Sequence, residues 1–386
     1  MRGTWAIVLV SSACGFSPRA AGGDGGSTAD AVDAPGSIDA LPDTPPGEVC
    51  FGTLAYDRIC YLSANVPTGT TTYQVAMNVN TDDAPTCNGN TNLASTVPGN
   101  PCIIAAAEIR LELDAELDVF GSRPLVLLAT GPQGIDVGTG TLIDASSNDN
   151  GAGPGTLAGN QCPGARNASQ KSGGFGGSMI AVGGKGGLGS GDAAMSSGLP
   201  ATVLGAPVAL HGGCPGGIGA NNNNNAQTPG GGAVALVAMT LTIDGIVAAG
   251  GAGGLTPTAN QAGGNGGGAG GMIVLDAPAI VGMGELDAKG GGGGEGKGGN
   301  TTTSGSPGYN PIDRAEDGLG GSTGGSTGGD GGHGGPFLDA TSVLSNAGAD
   351  GKDGTSAGGG GGGGAAGVVI ATSGLPELLT SSPIAQ

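Results

Sequence analysis

Apolar positions along this chain follow two patterns. Over residues 71–79, and again at Ile109, Leu111 and Leu113, they alternate with polar residues at a period of two, which predicts strands with one buried face. Glu108, Arg110, Glu112 and Asp114 take the outward positions there and read as a solvated face. From Arg123 onward the apolar residues come in short unbroken runs that repeat. Gly232-Ala-Val-Ala-Leu-Val-Ala leads to Gly245-Ile-Val-Ala-Ala-Gly-Gly, and 39 residues later Gly271-Met-Ile-Val-Leu-Asp-Ala leads to Gly284-Glu-Leu-Asp-Ala-Lys-Gly without a gap. An earlier copy is Pro124-Leu-Val-Leu-Leu-Ala, followed by Ile135-Asp-Val and Gly140-Thr-Leu-Ile-Asp-Ala. Shorter relatives stand at Ser178-Met-Ile-Ala-Val and Gly367-Val-Val-Ile-Ala.

Each unit reads as an apolar strand, a turn, one or two further short strands and a glycine run. One such unit cannot bury its own stripe, whereas stacking the next unit against it covers the stripe and pairs the strand edges. The expected fold is therefore all-β: a parallel β-solenoid of the right-handed β-helix kind, with Ala238, Ala277 and Ala288 at tight corners. The glycine runs are expected as turns and long glycine-rich loops. Residues 290–294 and 358–364 are all glycine, and two packings suit them: mobile loops, or extended three-fold strands whose backbones touch. The four-residue period over 320–327 favours loops.

Composition sharpens the division into regions. Most of the 89 glycines lie beyond Gly131, and with five Phe, four Tyr and one Trp the interior must be built from Val, Ile, Leu and Ala. Residues 1–13 read as an export signal, with Arg2, an apolar run from Trp5 to Val10, and small residues before Cys14. They resemble a bacterial lipoprotein signal, which implies lipidation at Cys14, although Ser11 stands where that signal usually has Leu. The alternative is ordinary cleavage after Ala13. Residues 14–47 are rich in Gly, Ala, Ser, Pro and Asp and lack apolar periodicity, so they are expected to form an acidic disordered tether. A cysteine-bearing, β-rich head then spans 48–122, the repeats 123–374 and a tail 375–386.

Setting Cys14 aside leaves six cysteines in an exported chain, an even set that suits disulfides. Neighbour pairing closes the shortest loops: Cys50 with Cys60, Cys87 with Cys102, and Cys162 with Cys214. None has zinc-type CxxC spacing. Thirty-one acidic residues against 12 basic ones give a net charge of −19, the wrong balance for neutralising phosphates, so nucleic acid is not an expected partner.

The succession of an acidic tether, a Cys-bounded head, Gly121-Ser-Arg-Pro-Leu-Val-Leu-Leu-Ala, His211-Gly-Gly-Cys-Pro-Gly, Gly270-Gly-Met-Ile-Val-Leu-Asp-Ala-Pro and Gly290-Gly-Gly-Gly-Gly-Glu-Gly resembles the glycine-rich surface lipoproteins of myxobacteria and their relatives. The resemblance covers nearly the whole mature chain. It implies export and a β-rich repeat but no reaction.

Candidate chemistry is sparse. Asn80-Thr-Asp-Asp and Gly332-His-Gly resemble two phrases of polygalacturonases, but about 250 residues separate Asp82 and Asp83 from His333, and no Arg-x-Lys phrase follows. Gly186-Gly-Leu-Gly-Ser-Gly-Asp192 and Asp350-Gly-Lys-Asp353-Gly resemble calcium-repeat phrases but are single and out of step, so turns are expected instead. The glycine runs lack the Lys-Ser/Thr ending of a phosphate loop. No catalytic residue, metal site or cofactor is assigned. The expectation is a non-enzymatic structural or adhesive protein on the outer membrane at the cell surface, with secretion into an extracellular matrix as the alternative location. Its expected partners are the membrane, through a lipid anchor, and an envelope or matrix polysaccharide or protein. A polysaccharide hydrolase or lyase on a β-helix scaffold is the alternative function.

Overall fold

In this computed structural model the described residues are 47–383, apart from 55, 149–150, 206, 223–225, 299–306, 309, 311–319, 322–327, 339–343, 346, 356 and 377–378. The export signal, Cys14 and the tether up to 46 lie outside them, as does most of the 320–327 phrase.

The chain is all-β. Its strands are β1 (Glu48–Phe51), β2 (Ile59–Leu62), β3 (Thr70–Tyr73), β4 (Met77–Asn80), β5 (Cys102–Leu111), β6 (Glu116–Phe120), β7 (Leu125–Val137), β8 (Leu142–Asp144) and β9 (Ala233–Val237). Then come β10 (Thr240–Ile243), β11 (Ile246–Ala248), β12 (Met272–Asp276), β13 (Ala279–Val281), β14 (Glu285–Asp287), β15 (Phe337–Leu338), β16 (Leu344–Ser345), β17 (Val368–Ala371) and β18 (Thr380–Ser382). Two parallel sheets dominate. The larger runs β3, β5, β7, β9, β12, β17, with β10 and β13 continuing it beside the second half of β7. The smaller runs β4, β6, β8, β11, β14, β18. Both sheets follow chain order and remain open. Successive passes thus lay strand upon strand, and the 39-residue repeat places Ala233 on Met272, Thr240 on Ala279 and Ile246 on Glu285.

The unbroken apolar runs have a direct cause. Leu125, Leu127 and Ala129 of β7, Val234 and Leu236 of β9, and Ile273 and Leu275 of β12 point into the core between the sheets. There they meet Leu117, Ile143, Val247 and Leu286 from the smaller sheet. The alternate residues Val126, Leu128, Ala233, Ala235, Met272 and Val274 point to a second core outside the larger sheet, closed by Tyr56, Ile59 and Tyr61 of the β1–β2 hairpin and by Met179 and Leu210. A strand covered on both faces needs no polar alternation.

Four expectations need correction. Leu113, expected on the alternating strand, lies beyond the end of β5 at φ 47° and is exposed. Arg123 marks a change of composition but not a break in the fold, since β5 of the expected head pairs directly with β7 and β3 with β5. Residues 178–182 form no strand; Met179 donates to the Ala181 carbonyl in a tight turn. The glycine runs, expected as long loops, are packed.

All three glycine-rich excursions, between β8 and β9, β11 and β12, and β14 and β17, leave after a strand of the smaller sheet and assemble into one hydrogen-bonded array. Its centre is 358–365. Gly358, Gly361 and Gly364 donate to Lys297, Gly294 and Gly291; Gly359, Gly362 and Ala365 donate to Lys171, Gly174 and Gly177; Gly360 and Gly363 donate to Lys352 and Ala349. Three further segments donate back: Gly329, Gly332 and Gly335; Gly264, Gly267 and Gly270; and Gly187 and Gly184, with Ser190 of the same segment donating to Ala357 just before the run. These bonds measure 2.8–3.1 Å. Donors recurring every third residue in three directions are what a three-residue-per-turn extended backbone provides, and they surround the central segment with six neighbours.

Glycine is required here for its missing Cβ, not for its conformational freedom, because none of 358–364 has a positive φ. A Cβ on Gly358, Gly361 or Gly364 would overlap the carbonyl oxygen of Ala262, Asn265 or Gly268. On Gly359 or Gly362 it would strike Gly187 or Gly184, and on Gly360 or Gly363, Asp330 or His333. No phase of the run can hold a side chain, which accounts for seven glycines in succession.

Candidate functional site

The six head and repeat cysteines form disulfides Cys50–Cys60, Cys87–Cys102 and Cys162–Cys214, with Cα separations of 4.0, 5.0 and 6.0 Å. The first closes the β1–β2 hairpin, the second ties a short 3-10 turn (Asn88–Asn90) to the start of β5, and the third braces the first glycine excursion. Glu48 lies beside Cys50 and Cys60, but the disulfide removes the thiolates a metal would need.

The sequence phrases with catalytic or calcium likeness have structural employment. Asp82 accepts from the Ser122 amide and hydroxyl, which hold its carboxyl below the ordinary value, and Asp83 accepts from the Thr86 hydroxyl. His333 lies in the glycine array, where its Nδ1 accepts from the Gly320 amide at 3.3 Å. None of these contacts links His333 to the two aspartates. Asp192 accepts from the Lys171 amide and the Ser172 hydroxyl. Asp350 and Asp353 accept from the amides of Lys185 and Leu188, both at 2.7 Å. Their three-residue spacing matches the array repeat, so these carboxylates cap donors at its rim.

Stacking brings together a different set. Asn78 of β4, Asp118 of β6 and Asp144 of β8 are register partners on three consecutive parallel strands. With Phe120, Ser146 and Asn148 they line an open cleft of about 290 Å³. Alternation along β6 explains the placement: Leu117 and Val119 face the core, which turns Asp118 and Phe120 outward, and Phe120 is 43 % exposed. Asp144 is almost fully buried and accepts from the Ser146 amide at 2.8 Å. Burial pushes its carboxyl up and the Asp118 charge adds to this, while hydrogen bonds from Ser146 oppose it. Glu116 is raised for the same reasons, burial first and then the charges of Asp118 and Asp144.

Chemically the cleft offers hydroxyl-binding groups, namely two amides, a hydroxyl and two carboxyls, beside one exposed aromatic face on a rigid strand. That combination suits a polyhydroxylated ligand, whose hydroxyls pair with planar acceptors while its C–H face rests on a ring. The solvated face expected at Glu108, Arg110, Glu112 and Asp114 lies on and just after β5, and none of those residues lines the cleft. The outward series Glu116, Asp118, Phe120 was visible, but Asn78 and Asp144 join it only through stacking.

Scanning protein-family models, curated proteins and solved structures gives no match to this chain.

Proposed function

We propose that the protein is an exported, non-enzymatic cell-surface element that displays a saccharide-binding cleft on a rigid β scaffold. The observation that carries this reading is the Asn78–Asp118–Asp144 column beside exposed Phe120. Two open parallel sheets in chain order support a β-solenoid architecture, and repeated coils with a glycine array beside them suit a stiff structural body. Three disulfides suit an oxidising compartment. The lipoprotein-like signal ending at Cys14, the acidic spacer and the likeness to myxobacterial surface lipoproteins support anchoring in the outer membrane, with the cleft presented to envelope or matrix polysaccharide.

Binding of the purified chain to a panel of acidic and neutral polysaccharides tests this reading. Retention that falls several-fold in Phe120→Ala and in Asp118→Asn supports it; equal retention of all three proteins removes the cleft as the contact. Labelling with a palmitate analogue tests the anchor, and Cys14→Ser should yield an unlabelled, released protein.

One observation favours hydrolysis as a second reading. Asp144 is buried and raised while Asp118 on the adjoining strand is exposed, a difference of environment that can set an acid beside a base. Release of reducing ends that disappears in Asp144→Asn would establish hydrolysis and displace the non-enzymatic reading.

A further inference from the structure

The loop between β1 and β2 buries a carboxyl group that neither the core nor the cleft uses. Asp57 is fully buried, and Asp276 at the end of β12 is 3 % exposed. The two side chains lie within hydrogen-bonding reach of each other. Their surroundings differ sharply. Asp276 accepts from the Thr53 amide, from the Thr53 hydroxyl at 2.9 Å and from the Thr372 hydroxyl at 2.8 Å. Asp57 accepts the Leu54 amide at 3.0 Å through Oδ1, while its buried Oδ2 receives no donor. Gly52 makes this turn feasible, since a Cβ there would overlap the Asp57 carbonyl oxygen.

Two like charges cannot both be buried in contact at low cost, and an orphaned carboxyl oxygen facing a carboxylate is relieved when it carries a proton and donates it. We propose that Asp57 and Asp276 share one proton, held on Asp57, and that this pair latches the disulfide hairpin onto β12 and the loop after β17, releasing it in alkaline solution. The titratable group that bears on Asp57 is Asp276, from β12, and Tyr56 of the same loop feels both aspartates; each of the three is an acid. Burial and then the Asp276 charge push Asp57 up to about 8, and Tyr56 is pushed up to about 12 by burial and by both aspartates. The sign follows from linkage. An acid whose docked value is raised contributes stability that is complete below its ordinary value of 3.8 and is lost as pH rises through about 8.

Amide hydrogen exchange on the full chain reads the latch directly. The Thr53 amide is held by Asp276, and the Ala94 amide donates to the Cys60 carbonyl at 2.8 Å, so both lose protection when the hairpin lifts. Corrected for intrinsic base catalysis, their protection should fall about tenfold or more between about pH 6 and about pH 9. Asp57→Asn supplies a neutral donor of the same shape and should make protection independent of pH. An infrared band from a protonated carboxyl, present at neutral pH and titrating out with the loss of protection, gives a reading on the unaltered chain should that variant fail to fold. Protection that does not change with pH, an unchanged pH dependence in Asp57→Asn, or absence of the carboxyl band would overturn the proposal. So would millimolar Ca²⁺ restoring alkaline protection in the natural chain but not in Asp57→Asn, because the pair would then be a cation site.

Discussion

The stacked sheets and the glycine array fill the same molecule by opposite means. In the sheets, backbone hydrogen bonds run in two directions within a layer, and cohesion between layers comes from side chains such as Leu127, Leu236 and Ile273. In the array, hydrogen bonds leave the central segment in three directions, and there are no layers to be glued together by side chains. The first region fails when carbon is removed; the second fails when carbon is added. Backbone amides and carbonyls account for the array interior, which is why a stretch with almost no hydrophobic side chains is nevertheless buried.

The sharpest contrast comes from truncating the sheet core. Leu236→Ala leaves a cavity between the sheets, where the neighbouring strands hold Leu127 and Leu275 in register. A loss of about 2–5 kcal/mol is expected, measurable by denaturant unfolding. Opening the Cys162–Cys214 disulfide by paired serine substitution should cost about 2–4 kcal/mol. Because this bridge braces the first glycine excursion, exchange should rise among 171–220 before it rises in β5 or β7.

Adding one methyl to the array tests the other side of the comparison. Gly361→Ala places a carbon against the Asn265 carbonyl and should cost about 1–3 kcal/mol. Gly374→Ala, where nothing lies within 4 Å, should change stability by about 0.5 kcal/mol or less. Equal effects at the two positions would show that the array is not close-packed in solution.

The two regions also differ in how far they could be read in advance. Unbroken runs at 125–129, 233–237 and 272–275 carry the strand assignment, and the 39-residue offset carries the register of β9 on β12; the register of β7 on β9, offset by the long excursion between them, has no such signal. The period-two series at Ile109 and Leu111 was sound, but it was extended too far: Leu113 sits at φ 47° in a turn and is 82 % exposed. A glycine run carries no phase, because a repeat of three is invisible when every residue is identical. The period that did show, over 320–327, pointed to loops. The sites were harder still. Asn78, Asp118 and Asp144 meet through parallel stacking, and Asp57 meets Asp276 across most of the chain; neither proximity has a local signature.

Where the sheets end, the described strands β3, β17, β4 and β18 pair on one side only; where the array ends, side chains take over the role of a further segment. Asp350 and Asp353 supply carboxylate acceptors to Lys185 and Leu188 at the spacing at which another backbone would have supplied carbonyls. An exposed amide can turn to water, so the loss on removing either acceptor should sit at the low end for a hydrogen bond, about 0.5–1 kcal/mol for Asp353→Ala. Asp353→Asn keeps an acceptor oxygen and should recover most of it. Exchange at the Leu188 amide distinguishes this capping from calcium binding. Under capping, Asp353→Ala speeds that amide and a chelator leaves it unchanged. If the chelator alone reproduces the effect of the substitution, the two aspartates hold a cation and the rim is organised by metal instead of by amides.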